Sequence, residues 1–167
     1  MREPFMTAVF TASSHHPFRV PERYEGVFPQ GKHPIHQCVG YTDHALRKFF
    51  AYAKQQDWYE NTLFVLTADH TNQVTLPAYA TSKGLFEVPI AFYSPLWNCA
   101  ELRSEAAVSQ TDIMPSVLAF LGYSKPFFAF GEDILTKEKT HPWAVCYNHP
   151  VYQLFSDRLL MQFDGKR

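Results

Sequence analysis

Leu63-Phe64-Val65-Leu66-Thr67-Ala68 is a continuous, mostly apolar run, and Asp69-His70-Thr71-Asn72 follows it without a break. The run is too short for a helix and shows no polar alternation. It therefore predicts a central strand buried on both faces, the pattern typical of a parallel sheet. In open α/β sheets, ligands gather beyond the carboxyl ends of the strands. Asp69 and His70 stand at that end. An adjacent carboxylate and imidazole offer one oxygen and one nitrogen ligand to a divalent cation. The same two residues also read as a turn-capping aspartate beside a solvated histidine, and spacing alone leaves both readings open.

The pattern extends outward in both directions. Val88-Pro89-Ile90-Ala91-Phe92-Tyr93 predicts a second strand, halted by Ser94-Pro95, with Pro89 at its beginning. Upstream, Tyr41, Ala45, Leu46, Phe49, Phe50 and Ala53 recur at three- and four-residue spacing. That is an amphipathic helix from about Gly40 to near Asp57, capped by Thr42 or Asp43. Asp112 to Leu121 predicts another helix, with Asp112 as its cap. Ile113, Val117, Leu118 and Leu121 share one face, and Gly122 closes it. Short strands are expected at 145–147, 151–155 and 159–163, forming a β meander.

Between Pro17 and Pro34 the prolines and glycines predict a long surface loop, of the kind that covers a site. The apolar residues from Phe5 predict a strand leaving through Ala12-Ser13-Ser14, so that the chain opens directly inside a folded unit. Strands alternating with helices argue for an α/β layered fold with a largely parallel sheet, as a single domain over residues 1–167.

Composition agrees with a soluble globular unit. Hydrophobic residues make up 46% and charged residues 19%, which excludes a disordered chain or a coiled coil. The formal net charge of −1 supplies no basic block for nucleic acid. No run approaches the roughly 18 apolar residues of a membrane span. Cys38, Cys99 and Cys146 are too scattered for a disulfide framework or a zinc finger, so they read as free thiols.

A second chemical feature is Ser13-Ser14-His15-His16-Pro17-Phe18. His15 could donate to an anionic substrate oxygen or take part in proton transfer, and Pro17 restricts the backbone of His16. A surface turn with solvated histidines fits the spacing equally well. His33, His36, His44, His141 and His149 have no such setting and read as ordinary residues, while Gln110 ahead of Asp112 reads as structural. No Gly-rich phosphate loop, GxSxG elbow or HExxH motif is present.

Taken in order, 13–18 with Val20-Pro21, Tyr41-Thr42-Asp43-His44-Ala45-Leu46, Asn61-Thr62-Leu63-Phe64-Val65, Thr67-Ala68-Asp69-His70, 88–95 and Gln110-Thr111-Asp112-Ile113-Met114-Pro115-Ser116-Val117-Leu118 form a series. The series resembles the sulfatase-like branch of the alkaline phosphatase superfamily, and within it the lipoteichoic acid synthases and related phosphoglycerol transferases.

The resemblance implies an alkaline-phosphatase-like layered sheet with flanking helices, partial here. It also implies metal-dependent hydrolysis or transfer of sulfate or phosphate esters, with phosphoglycerol or phosphoethanolamine transfer ahead of sulfatase action. Asp69 and His70 then match the pair that ligates a divalent metal, manganese first, with zinc or magnesium in relatives. His15 matches the histidine beside the phosphoryl or sulfuryl group, and His16 becomes a second substrate contact. The three would converge on one cleft. The His at 70 leans towards the transferases, because classical sulfatases more often place Asn there.

The same likeness places the family's nucleophile and first acidic ligand upstream of Met1. The chain then corresponds to about the second half of a catalytic domain and is expected to be inactive alone. The parent protein is expected to be membrane-anchored, with an extracytoplasmic catalytic domain. Its partner is an anionic ester substrate, not nucleic acid. The alternative is a catalytically incomplete module that self-associates or docks a missing amino-terminal half.

Overall fold

In the computed structural model, residues 4–97, 106–136, 140–156 and 158–166 are described. They form two compact units, residues 1–62 and 63–167. The first is built on helix α1, Ile35–Ala53, which starts earlier and ends earlier than its sequence pattern suggests. Pro34 sits at its N-cap with φ −55°, already helical, and brings no N–H to be left orphaned in the first turn.

Gly40 mimics a helix boundary because glycine weakens helix interiors. It is interior here for a packing reason: a Cβ at that position would lie 3.1 Å from the Cβ of Phe28. The bare Cα lets Phe28 settle against the helix, where it meets Tyr24, Tyr41 and His44 at ring separations of 5.7 to 6.1 Å. This aromatic cluster, with a 3₁₀ turn at Glu22–Tyr24, folds the proline-rich 17–34 segment onto α1. Thr42 and Asp43 consequently lie inside the helix and cap nothing. Thr42 instead meets the Ser13 hydroxyl at 3.2 Å, and Asp43 pairs with Arg47 one turn on.

The expected strand from Phe5 is absent: residues 5–12 belong to no strand, 13–14 already turn, and Met6 and Phe10 are 92% and 77% exposed. Apolar content alone cannot make a strand, which needs a ladder partner for its backbone groups. The Phe5 ring instead rests edge-on against Trp58, 5.9 Å away.

The second unit begins with β1, Phe64–Thr67, and β2, Ile90–Tyr93. They pair antiparallel, Phe64 opposite Tyr93 and Thr67 opposite Ile90, which corrects the parallel pairing expected from the sequence. Parallel neighbours require a crossover, usually a helix. The 68–89 link holds only short 3₁₀ turns at Pro77–Tyr79 and Gly84–Phe86, and the chain reverses on itself. Burial on both faces is corrected too, since Phe64 and Leu66 are half-buried while Val65 and Thr67 are exposed. That alternation belongs to a two-stranded antiparallel ribbon covered on one side.

Helix α2 spans Ile113–Phe120 and ends as its sequence predicts. Gly122 adopts φ +70°, Tyr123 N–H donates to the Leu118 carbonyl and Gly122 N–H to that of Ala119, a paired C-terminal cap. Its buried face is not the expected apolar one: Asp112, Pro115 and Ser116 are buried, and Leu121 is exposed. The meander is present as β3 (Trp143–Asn148), β4 (Val151–Ser156) and β5 (Leu160–Phe163), antiparallel in that order. Phe155 of β4 is buried and meets Phe86 at 5.7 Å.

Helices with small antiparallel sheets make the chain α/β in the broad sense. Among the described residues no helix is long and apolar enough to cross a membrane. Cys38 and Cys146 are free thiols whose pKa burial pushes up; Cys99 lies outside the described residues.

Candidate functional site

β1 ends at Thr67, and the chain turns at once through Ala68, Asp69 and His70. One carboxylate oxygen of Asp69, Oδ1, accepts from the following amide, His70 N–H, at 2.9 Å. The other, Oδ2, lies 3.4 Å from His70 Nε2. The turn-capping and ligand readings of Asp69 thus use different oxygens. His70 Nδ1 lies 2.6 Å from the Thr71 carbonyl, which can only accept, so Nδ1 carries the proton and Nε2 presents its lone pair in the neutral ring.

Tying one imidazole nitrogen to a carbonyl fixes tautomer and ring orientation, as it does in metal-ligating histidines. Two ligands each about 2.1 Å from one cation stand about 3.0 Å apart at octahedral and about 3.4 Å apart at tetrahedral angles. The donor pair fits such an ion. Both side chains are exposed, and among the described residues no third His, Cys, Asp or Glu joins them.

The turn is held from two sides. Gln110 Nε2 donates to the carbonyls of Ala68, at 2.6 Å, and Asp69, at 3.0 Å. The Thr71 hydroxyl donates to the Leu85 carbonyl at 2.5 Å. Gln110 is itself anchored, because it opens the 3₁₀ turn Gln110–Asp112 that leads into α2. Ser109 and Asp112 cap that turn reciprocally.

The Asp112 carboxylate, 1% exposed, accepts from Ser109 N–H at 2.7 Å and from Glu132 N–H at 2.8 Å. Ser116 Oγ donates to the Asp112 carbonyl at 2.6 Å and accepts from Ile134 N–H at 3.0 Å. Gly131 allows this approach, since a Cβ there would lie 2.3 Å from the Thr111 carbonyl. Asp112 is therefore the third residue of a capping box and a buried tether for 131–134, not the simple cap the sequence suggested. The structural role expected of Gln110 takes the form of this grip, whose partners lie about forty positions back, beyond any local spacing signal.

In the first unit, Ser13 to Phe18 forms two successive turns: His15 N–H donates to Ala12 and Phe18 N–H to His15. His15 Nδ1 lies 2.8 Å from the His16 carbonyl, so its Nε2 is left outward, the arrangement seen at His70. Phe18 has φ +59°, the left-handed region that a bulky residue rarely adopts, yet its ring is 8% exposed. Burial of that ring, the His16 ring 5.7 Å away and a bond from Gln37 to the Phe18 carbonyl over-determine the conformation. His15 and His16 are exposed. They belong to the first unit, Asp69 and His70 to the second.

The other histidines do different work. His36 Nδ1 accepts from Lys32 N–H, the reverse of His15 and His70. His44 packs against Tyr24 and Phe28. His141 Nδ1 meets Glu132 at 2.7 Å. The Thr140 hydroxyl foremost, then the His141 ring, holds the Glu132 carboxyl down to about 2.

Residues 2–123 match the sulfatase family. The chain belongs to that family. Relatives in Bacillus subtilis (strain 168) refine the likeness. Lipoteichoic acid synthase-like YvgJ is 27% identical over 168 residues, covering 87% of this chain and 27% of that protein. Lipoteichoic acid synthase 2 is 28% identical over 154 residues, covering 81% and 24%. Lipoteichoic acid synthase 1 is 24% identical over 155 residues, covering 83% and 24%. Beyond the family, the chain is similar to these lipoteichoic acid synthases and to the synthase-like protein. The chain spans about a quarter of the length of these curated relatives. No solved structure matches it.

Proposed function

We propose that this sulfatase-family chain contributes one part of the site of a metal-dependent hydrolase or transferase acting on phosphate or sulfate esters. Phosphoglycerol or phosphoethanolamine transfer is the favoured reaction and sulfate-ester hydrolysis the next. The observation that carries the reading is the 3.4 Å approach of Asp69 Oδ2 and His70 Nε2, with Nδ1 tied to the Thr71 carbonyl. Asp69 and His70 hold the divalent cation, manganese first, then zinc or magnesium. When bound, such a cation lowers the pKa of an attacking hydroxyl and neutralises charge on the transferring group.

His15, its Nδ1 committed to the His16 carbonyl, keeps Nε2 to bind a non-bridging oxygen or to hand a proton to the leaving alkoxide. His16 adds a second contact to the anionic ester. In this reading residues 1–167 act as one domain of an alkaline-phosphatase-like layered fold. No residue of this chain is assigned as nucleophile, and the chain alone is inactive. The parent protein sits at a membrane with its catalytic domain outside the cytoplasm.

The test has two arms. Titration of the chain with manganese chloride, followed by calorimetry, is expected to show binding that Asp69→Ala or His70→Ala weakens by more than the ~100-fold upper range for losing an outer-sphere partner. In the full-length protein, turnover of nitrophenyl phosphate or nitrophenyl sulfate should require the metal and fall with His15→Ala. Metal-independent turnover, or unchanged manganese affinity in Asp69→Ala, overturns the reading.

A further inference from the structure

We propose that Gln110 is the positioning residue for the 69–70 pair: its side-chain amide sets the backbone angles at Asp69 and so aims both the carboxylate and the imidazole. The carbonyl of Ala68 belongs to the peptide plane before the Asp69 Cα, and the carbonyl of Asp69 to the plane after it. Gln110 Nε2 holds both, at 2.6 and 3.0 Å. Fixing the two planes on either side of one Cα fixes its φ and ψ, and with them the direction of its Cβ.

One NH₂ group has two N–H donors, and both partners are carbonyls, so the amide's orientation is unambiguous. Asp69 Oδ1 then receives His70 N–H, which leaves Oδ2 beside the His70 ring. Gln110 can act as a fixed point because Ser109 and Asp112 lock its turn, and Asp112 is itself pinned to Glu132 N–H. The side chain touches neither donor atom of the pair; it works through the backbone between them.

The inference rests on the reading of Asp69 and His70 as cation ligands only for its consequence, not for its geometry, and the experiment separates the two. Amide hydrogen exchange of the chain without metal is compared among wild type, Gln110→Ala and Gln110→Glu. Gln110→Glu keeps the shape but turns an oxygen towards two carbonyls. Exchange at His70 and Thr71 is expected to rise about tenfold in Gln110→Ala and further in Gln110→Glu, with the α2 amides unchanged. Manganese affinity is expected to fall about tenfold in Gln110→Ala.

Unchanged exchange at His70 and Thr71 overturns the inference, as does manganese affinity equal to wild type in both Gln110 variants when Asp69→Ala lowers it. If Asp69→Ala leaves manganese binding intact while Gln110→Ala still loosens the turn, the metal reading fails and the positioning role stands.

Discussion

The two histidine turns differ in how they are held. Both place a histidine whose Nδ1 is bound to the carbonyl of the next residue, leaving Nε2 outward. The 68–71 turn is gripped by side-chain-to-backbone bonds from distant residues, Gln110 to its carbonyls and Thr71 to Leu85. The 13–18 turn is held largely by its own backbone bonds and by burying Phe18 in a left-handed conformation. Among the described residues the 68–71 turn has no backbone bond of its own to match these, whereas the 13–18 turn adds to its own two a side-chain bond from Gln37 and the hydroxyl contact of Ser13 with Thr42. Damage to each should therefore spread differently.

The largest effect is expected at Phe18. Truncating a buried phenylalanine costs about 3 kcal/mol, and Phe18→Ala should lower stability to urea by that order. Glycine usually stabilises less than alanine, but at φ +59° it escapes a penalty of about 1 kcal/mol that alanine keeps. Phe18→Gly should thus be no worse than Phe18→Ala. A clearly less stable glycine variant would mean that the turn is not strained and would erase the contrast.

Ser116→Ala is the matching disturbance in the second unit. It leaves Ile134 N–H without its partner in a mostly buried setting, at a cost of about 2 kcal/mol. Amide exchange should quicken at 132–134 and be unaltered at 15 and 18. Equal loosening of both turns would show that they share one support.

Acid gives the smallest effect. The folded Glu132 carboxyl titrates at about 2, below its ordinary 4.5. Its contribution to stability is therefore complete above about pH 4.5 and is lost as pH falls from there towards 2. Urea midpoints between pH 6 and 2 should decline less in Glu132→Gln than in wild type over that window. Identical slopes would show that the bonds of the Glu132 carboxylate to Thr140 and His141 add nothing to stability.

Local chemistry was legible wherever neighbours in sequence are neighbours in space. The 64–67 and 90–93 strands, the β3–β5 meander and the Gly122 cap follow from runs, alternation and one permissive φ. Asp69 with His70 and His15 with His16 could be picked out because each pair is adjacent. Pairing direction could not, since a four-residue apolar strand carries no mark of whether its partner runs parallel. Gly40 misled for a related reason: its bare Cα serves Phe28, a residue of the preceding loop.

What this sequence determined unaided, then, was the position of its short strands and turns and the adjacency of its Asp69–His70 and His15–His16 pairs, because backbone preference and side-chain chemistry are properties of single residues and their neighbours. The tertiary structure alone decided the antiparallel ribbon, the burial of Asp112 and Ser116 and the grip of Gln110 on 68–69. Each of these depends on which distant backbone groups still lack a hydrogen-bond partner once the chain is packed, and no local pattern records that.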